Sequence, residues 1–203
     1  MNEQAIIVPA ETSCAELEIK KSKFIGYCYY AETETEAKEI ILSLKTKYKT
    51  ATHVVYAFIC GKPNSQTMGL SDDGEPKGTA GKPVLQVLKG SRLTNIVCAV
   101  IRYFGGIKLG TGGLVKAYTE AAQAALEKLK TKELIEKSEI TMVLSYNNFD
   151  DVKRIILSEE QTDIISEEFL SDVKIKVSVP NTKMEMLMNK IKNATSNKVT
   201  FNF

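Results

Sequence analysis

Thirteen residues, Arg102-Tyr-Phe-Gly-Gly-Ile-Lys-Leu-Gly-Thr-Gly-Gly-Leu114, constrain this chain more than any other stretch, and five of them are glycine. Upstream, Ile96 to Ile101 is short, continuously apolar and rich in β-branched residues, which predicts a strand covered on at least one face. Downstream, Leu114, Val115, Tyr118, Ala121, Ala122, Ala125, Leu126 and Leu129 recur at helical spacing as one unbroken apolar stripe. A central strand therefore hands over to a long helix through a backbone rich in conformationally free residues. With 43% apolar and 26% charged residues, the composition is that of a globular chain and not of a disordered, collagen or disulfide-scaffold one.

The rest of the first half reads the same way. Lys23 to Ala31 predicts a strand, and Thr33 to Tyr48 a helix with Ala37, Ile40, Ile41, Leu44 and Tyr48 on one face, acids early and lysines late. Val54 to Cys60 predicts a second buried strand. Pro83 opens, and Gly90 closes, a short helix through Leu88. Between these, Gly61 to Lys82 reads as a loop of 22 residues, long enough to be functional or mobile. The class is α+β.

After Glu133 a second order begins. Ile140, Met142, Leu144 and Tyr146 alternate as a strand, and Phe149, Val152, Ile155 and Ile156 repeat as a helix started by Asn148, Asp150 and Asp151. Thr162 to Leu170 and Val173 to Val179 read as adjacent strands. Thr182 and Glu185 form a capping-box signature ahead of Met184, Leu187, Met188 and Ile191, and Val199 to Phe203 closes as a strand. The order β-α-β-β-α-β is the ferredoxin-like split unit, a fold with many unrelated uses. We expect domains at 1–133 and 134–203.

Charge is unevenly shared. The formal total is +2, but the first domain carries +4 and the second −2. From Pro76 to Thr119 the chain holds Lys77, Lys82, Lys89, Arg92, Arg102, Lys108 and Lys116 with no acid among them, and eight of its twelve glycines. Unshielded cations attract anions, and backbone N–H groups at a glycine-rich helix start receive them. The candidate anion site is therefore Lys77, Lys82, Arg102, Gly105, Gly106, Lys108, Gly110, Thr111, Gly112, Gly113 and Lys116. It matches no nucleotide fingerprint: Thr111 follows Gly110 where a Walker A loop needs lysine, and Val115 stands where a dinucleotide loop needs a third glycine. The alternative is a tight strand-to-helix turn whose glycines only permit close packing.

Catalytic patterns are sparse. Asp72, Asp73 and Glu75 lack the ligand spacing of a calcium loop and read as a solvated acidic turn beside lysines rather than a metal site. His53, the single histidine, starts a strand and reads as structural or surface-lying. Cys14, Cys28, Cys60 and Cys98 form no C-x-x-C pair and read as packing residues. We expect no metal and no cofactor. No apolar run approaches the roughly 18 residues of a membrane span, and the opening Met-Asn-Glu-Gln has no basic leader region, so the cytoplasm is expected.

Four segments taken in order, Lys21-Ser-Lys-Phe-Ile-Gly26, Ala51-Thr-His-Val-Val-Tyr-Ala-Phe58, Ser71-Asp-Asp-Gly-Glu-Pro-Lys-Gly-Thr-Ala-Gly-Lys-Pro83 and Arg102 to Leu114, resemble the Impact/YigZ family across roughly residues 17–129. The remainder is similar to the small C-terminal domain of its bacterial members. The resemblance implies a first domain like the second domain of a small-ribosomal-subunit protein and the fourth domain of elongation factor G, then a ferredoxin-like domain. It implies a non-catalytic, translation-associated regulatory module that binds RNA or the ribosome through the basic glycine-rich face. Two alternatives stand beside it. One is an enzyme on a small phosphorylated ligand held at Gly105 to Gly113, with Asp72, Asp73 or Glu75 supplying acid–base or metal chemistry, those three and His53 forming a possible functional loop. The other is a protein-partner module using the C-terminal sheet.

Overall fold

The computed structural model describes residues 6–203, so the opening Met-Asn-Glu-Gln lies outside it. The chain divides into two units between Leu134 and Ile135. The first runs β1 (Ile7–Pro9), β2 (Ser13–Ile19), β3 (Ser22–Tyr30), α1 (Glu34–Lys47), β4 (His53–Cys60), β5 (Thr67–Ser71), α2 (Gly81–Ser91), β6 (Ile96–Tyr103), α3 (Gly110–Glu127) and β7 (Thr131–Glu133). Five strands pair antiparallel in the order β2-β3-β6-β4-β5, and β1 pairs with β7 separately.

Helices cover both faces of the five-stranded sheet. On one side α2 and α3 pack over Phe24, Cys28, Val55, Ala57, Cys98 and Val100. The inner face of α3 is Ala117, Ala121, Ala122 and Ala125, all buried, and such small side chains let its backbone approach the sheet closely. Gly26 on β3 completes that approach, because a Cβ there would stand 2.5 Å from the Ala121 carbonyl oxygen. On the other side α1 alone lies on the sheet, with Ala37, Ile41 and Leu44 buried. Its start is held by the Thr33 hydroxyl, which accepts from the Glu36 N–H at 3.2 Å.

The second unit runs β8 (Lys137–Leu144), α4 (Tyr146–Ser158), β9 (Asp163–Phe169), β10 (Val173–Pro180), a short 3-10 turn (Asn181–Lys183), α5 (Met184–Ala194) and β11 (Val199–Asn202). Its antiparallel order β11-β8-β10-β9 is that of the ferredoxin-like fold. Alternate residues Ile140, Met142 and Leu144 on β8 and Val173, Ile175, Val177 and Val179 on β10 meet Val152, Ile156, Leu187 and Ile191 of the helices. The structure has the mixed α+β, two-domain architecture expected.

Several local readings need correction. Gly61 to Lys82 is not one loop, since β5 lies inside it as an edge strand; its apolar residues Met68 and Leu70 remain about two-fifths exposed (40% and 42%), so no buried periodicity marks it. Gly90 does not close α2, which continues to Ser91 and ends on Arg92 in the left-handed region (φ 60°). The glycines 110–113 do not precede α3 but form its first turn. No capping box operates at α5, because Thr182 sits in the 3-10 turn and the helix has no side-chain cap; α4 likewise starts at Tyr146 without help from Asn148, Asp150 or Asp151. Cys14 is exposed on β2, whereas Cys28, Cys60 and Cys98 are buried.

Candidate functional site

The four segments singled out in the sequence converge on one end of the first sheet. Ser22 opens β3, His53 opens β4, Arg102 nearly ends β6, and Glu75 reaches them from the connection between β5 and α2. Arg102 donates from Nη1 to Glu75 Oε1 at 2.5 Å, and the Tyr118 hydroxyl of α3 donates to the same oxygen at 2.8 Å. Arg102 Nη2 points to Ser22 Oγ at 3.4 Å, which also accepts from the Gly105 N–H at 3.2 Å. The guanidinium lies 5.4 Å from the Phe24 ring centroid and 5.5 Å from that of Phe104, and Tyr118 meets Phe24 edge-on. Burial, then the bond to Glu75, pushes the Tyr118 phenol far above its ordinary range.

His53 belongs to this cluster. Its Nδ1–H donates to the Asp73 carbonyl at 2.7 Å, which leaves Nε2 facing Glu75 Oε1 at 3.8 Å. The neutral ring has no proton to give that carboxylate; the protonated ring would form an ion pair with it.

The acidic turn is tied into the fold, with Glu75 buried and Asp72 and Asp73 half-buried, which corrects its reading as a solvated turn. Asp72 accepts from the N–H groups of Gly78, Ala80 and Gly81 at 2.8, 3.1 and 2.8 Å, so it caps α2 from upstream where Ala80 has no side-chain bond to offer. Burial alone would raise its carboxyl, but these three donors outweigh burial and hold it below the usual range. Asp73 behaves alike: burial opposes its charge, while Lys45 at 2.5 Å and the Val54 N–H at 2.7 Å hold its carboxyl low. Glu75 is buried against Arg102. Among the described residues no group of three or more His, Cys, Asp or Glu side chains is placed to hold a metal ion.

The basic residues divide differently. Lys77, Lys82, Lys108 and Lys116 are exposed, as are Gly106, Gly110, Thr111 and Gly112, with Gly105 and Gly113 half-buried. Arg102 is the exception: at 5% exposure and paired to Glu75 it is a core residue, which corrects its place on an accessible face. Gly106 (φ 85°) and Gly110 (φ 73°) take the left-handed backbone the loop requires. Gly105 is required for space, because a Cβ there would fall 1.8 Å from the Lys21 carbonyl oxygen. Lys82 and Gly78 share one end of an open groove of about 900 Å³ with Val115 and Thr119, so the starts of α2 and α3 lie side by side, acids turned in and lysines turned out. Sequence reasoning missed Ser22 and took Tyr118 only as part of an apolar stripe; a phenol in a stripe of alanines needs a buried partner, and that was its signal.

This geometry belongs to a chain with close relatives. Residues 20–126 match the Impact N-terminal domain, and residues 142–198 match a domain of unknown function, DUF1949. The chain belongs to the IMPACT family. It is 34% identical to an IMPACT family member of Haemophilus influenzae, covering 95% of this chain and 94% of the relative. It is 37% identical to the IMPACT family member YigZ of Escherichia coli, covering 88% and 87%. A crystal structure of a hypothetical protein superposes with a TM-score of 0.74 at 34% identity, covering 98% of this chain and 97% of that one. Every residue of the buried cluster, from Ser22 to Tyr118, lies inside the matched Impact domain.

Proposed function

We propose that this IMPACT family member is a non-catalytic, translation-associated module of the cytoplasm that binds RNA or the ribosome through the lysine-rich starts of α2 and α3. One observation carries the reading: the three acids of the turn, Asp72, Asp73 and Glu75, are spent on backbone N–H groups, Lys45 and Arg102, while Lys77, Lys82, Lys108 and Lys116 stay exposed. A net charge of +2 thereby becomes a locally unopposed positive face. Lys116 has an exposed partner in Glu120 at 3.7 Å, a pair worth little in water. The groups that the enzyme alternative needs are committed elsewhere: Glu75 is closed off by Arg102 and Tyr118, and the Asp72 and Asp73 carboxylates already accept from backbone N–H groups and Lys45.

The test is binding to RNA and ribosomal subunits as a function of salt. If each lysine meets a phosphate, Lys82→Ala or Lys108→Ala lowers the log-log salt slope by about 0.7–0.9 per contact, with similar losses on all sequences. Wild-type protein that retains neither RNA nor ribosomes at low salt, yet is protected from heat by a phosphorylated metabolite, would favour the enzyme instead.

A further inference from the structure

The face of the first sheet that carries α1 is only partly covered, and tyrosines from three distant parts of the chain lie on it. Tyr27 lies on β3, Tyr48 directly follows α1, and Tyr103 ends β6, all three part-exposed. Tyr27 and Tyr48 have ring centroids 6.0 Å apart, with their hydroxyls hydrogen-bonded at 2.5 Å. The Tyr103 hydroxyl is 3.4 Å from Thr50 Oγ1, on the same α1–β4 connection. These bonds orient part-exposed rings, and Tyr29 stacks against Tyr27 with centroids 5.8 Å apart, extending the aromatic surface. Tyr118, by contrast, is fully buried with its hydroxyl given to Glu75.

Charge decides what such a surface takes. Lys47 holds its ammonium 5.5 Å from the Tyr27 centroid and 5.3 Å from the Tyr48 centroid. Lys23 is the cross-strand partner of Tyr103, exposed and paired to Glu16. Tyr103 continues directly into Phe104, itself 46% exposed, and then into the glycine loop with Lys108. Aromatic rings flanked by cations, and continuous with a basic loop, suit single-stranded nucleic acid, since every base has a face to stack and every link a phosphate to pair.

We propose, resting on the reading above, that Tyr27, Tyr48 and Tyr103 form a base-stacking track for single-stranded RNA whose backbone enters over the glycine loop. The test compares a short labelled oligouridylate with an abasic ribose-phosphate oligomer of equal length, on the full chain, by fluorescence anisotropy across a salt series. The oligouridylate binds more tightly than the abasic oligomer. Tyr48→Leu and Tyr103→Leu each weaken oligouridylate binding about fivefold or more without changing the salt slope, while Tyr103→Phe stays close to wild type. Thermal melts run alongside confirm that the variants are folded, and the abasic comparison needs no variant at all. If both oligomers bind equally, the leucine variants match wild type and Lys108→Ala still lowers the slope, the track is wrong and the basic-face reading stands. If neither oligomer binds at low salt and the wild-type protein does not sediment with ribosomes, both are wrong. If neither binds but the leucine variants lose co-sedimentation with ribosomes, a protein takes the place assigned to RNA, which also overturns the track.

Discussion

Arg102 and Glu75 form an ion pair whose side chains are 6% and 4% exposed, while Lys77, Lys82, Lys108 and Lys116 of the same domain are exposed. A buried pair of this kind adds little over an apolar substitute, but losing one member leaves an uncompensated charge in the core. Glu75→Ala is expected to destabilise the first domain by about 3–5 kcal/mol. Glu75→Leu combined with Arg102→Met should recover much of that loss. Denaturant melts of Glu75→Leu, Arg102→Met and the double variant measure the coupling, and additive losses would show that the pair does not act as a unit.

Asp72 and Asp73 set an acid limit. Both carboxyls lie below their ordinary range in the folded chain, so they bind protons less readily there than when unfolded. Their contribution is therefore full above the unfolded value, about pH 4, and is lost as the pH falls through the folded one. Asp72→Asn should flatten the acid limb of a plot of melting temperature against pH. At neutral pH it should cost about 1 kcal/mol, the usual worth of a helix cap. An unchanged acid limb would show that the three N–H bonds do not hold the charge.

Glycine positions that look alike in the sequence should behave oppositely. Gly105→Ala forces a methyl against the Lys21 carbonyl and should cost about 1–3 kcal/mol or more, with loss of RNA binding as the loop moves. Gly112→Ala, in the first turn of α3 with nothing within 4 Å of the added carbon, should be neutral or slightly stabilising. Equal melting temperatures for the two variants would contradict the packing described.

A fragment of residues 135–203 should fold alone, since its core of β8 and β10 against α4 and α5 draws on no residue outside it. At 69 residues its stability should be modest, with one cooperative transition by circular dichroism. A non-cooperative melt would count against an independent domain.

What could be read from the residues followed how each segment is buried. β4, β6 and α3 declared themselves because their apolar residues face a core on one or both sides. β5 did not, because an edge strand with exposed Met68 and Leu70 has no one-sided pattern. β2 was also missed, although Ala15, Leu17 and Ile19 alternate, since glutamates fill the intervening places and mask a strand only seven residues long. At the site, residue types and spacing located the loop but not its wiring. Arg102 looked like one more surface cation, and only the register of β6 beside β3 and β4 shows that its side chain enters the core while Tyr103 takes the opposite face. That Tyr27, Tyr48 and Tyr103 share one face is a product of topology, with no local trace in any of the three segments.

The distribution of cysteines gives the molecule an internal clock. Cys14 alone stands in solvent, while Cys28 and Cys98 face each other across β3 and β6 and Cys60 is buried at the end of β4. A thiol reagent therefore takes up one equivalent at once and the remaining three only as the sheet opens. Mass spectrometry of partly modified protein would then order the opening of the sheet edge and its centre in a single unlabelled sample, without an added probe and without tryptophan, which the chain lacks.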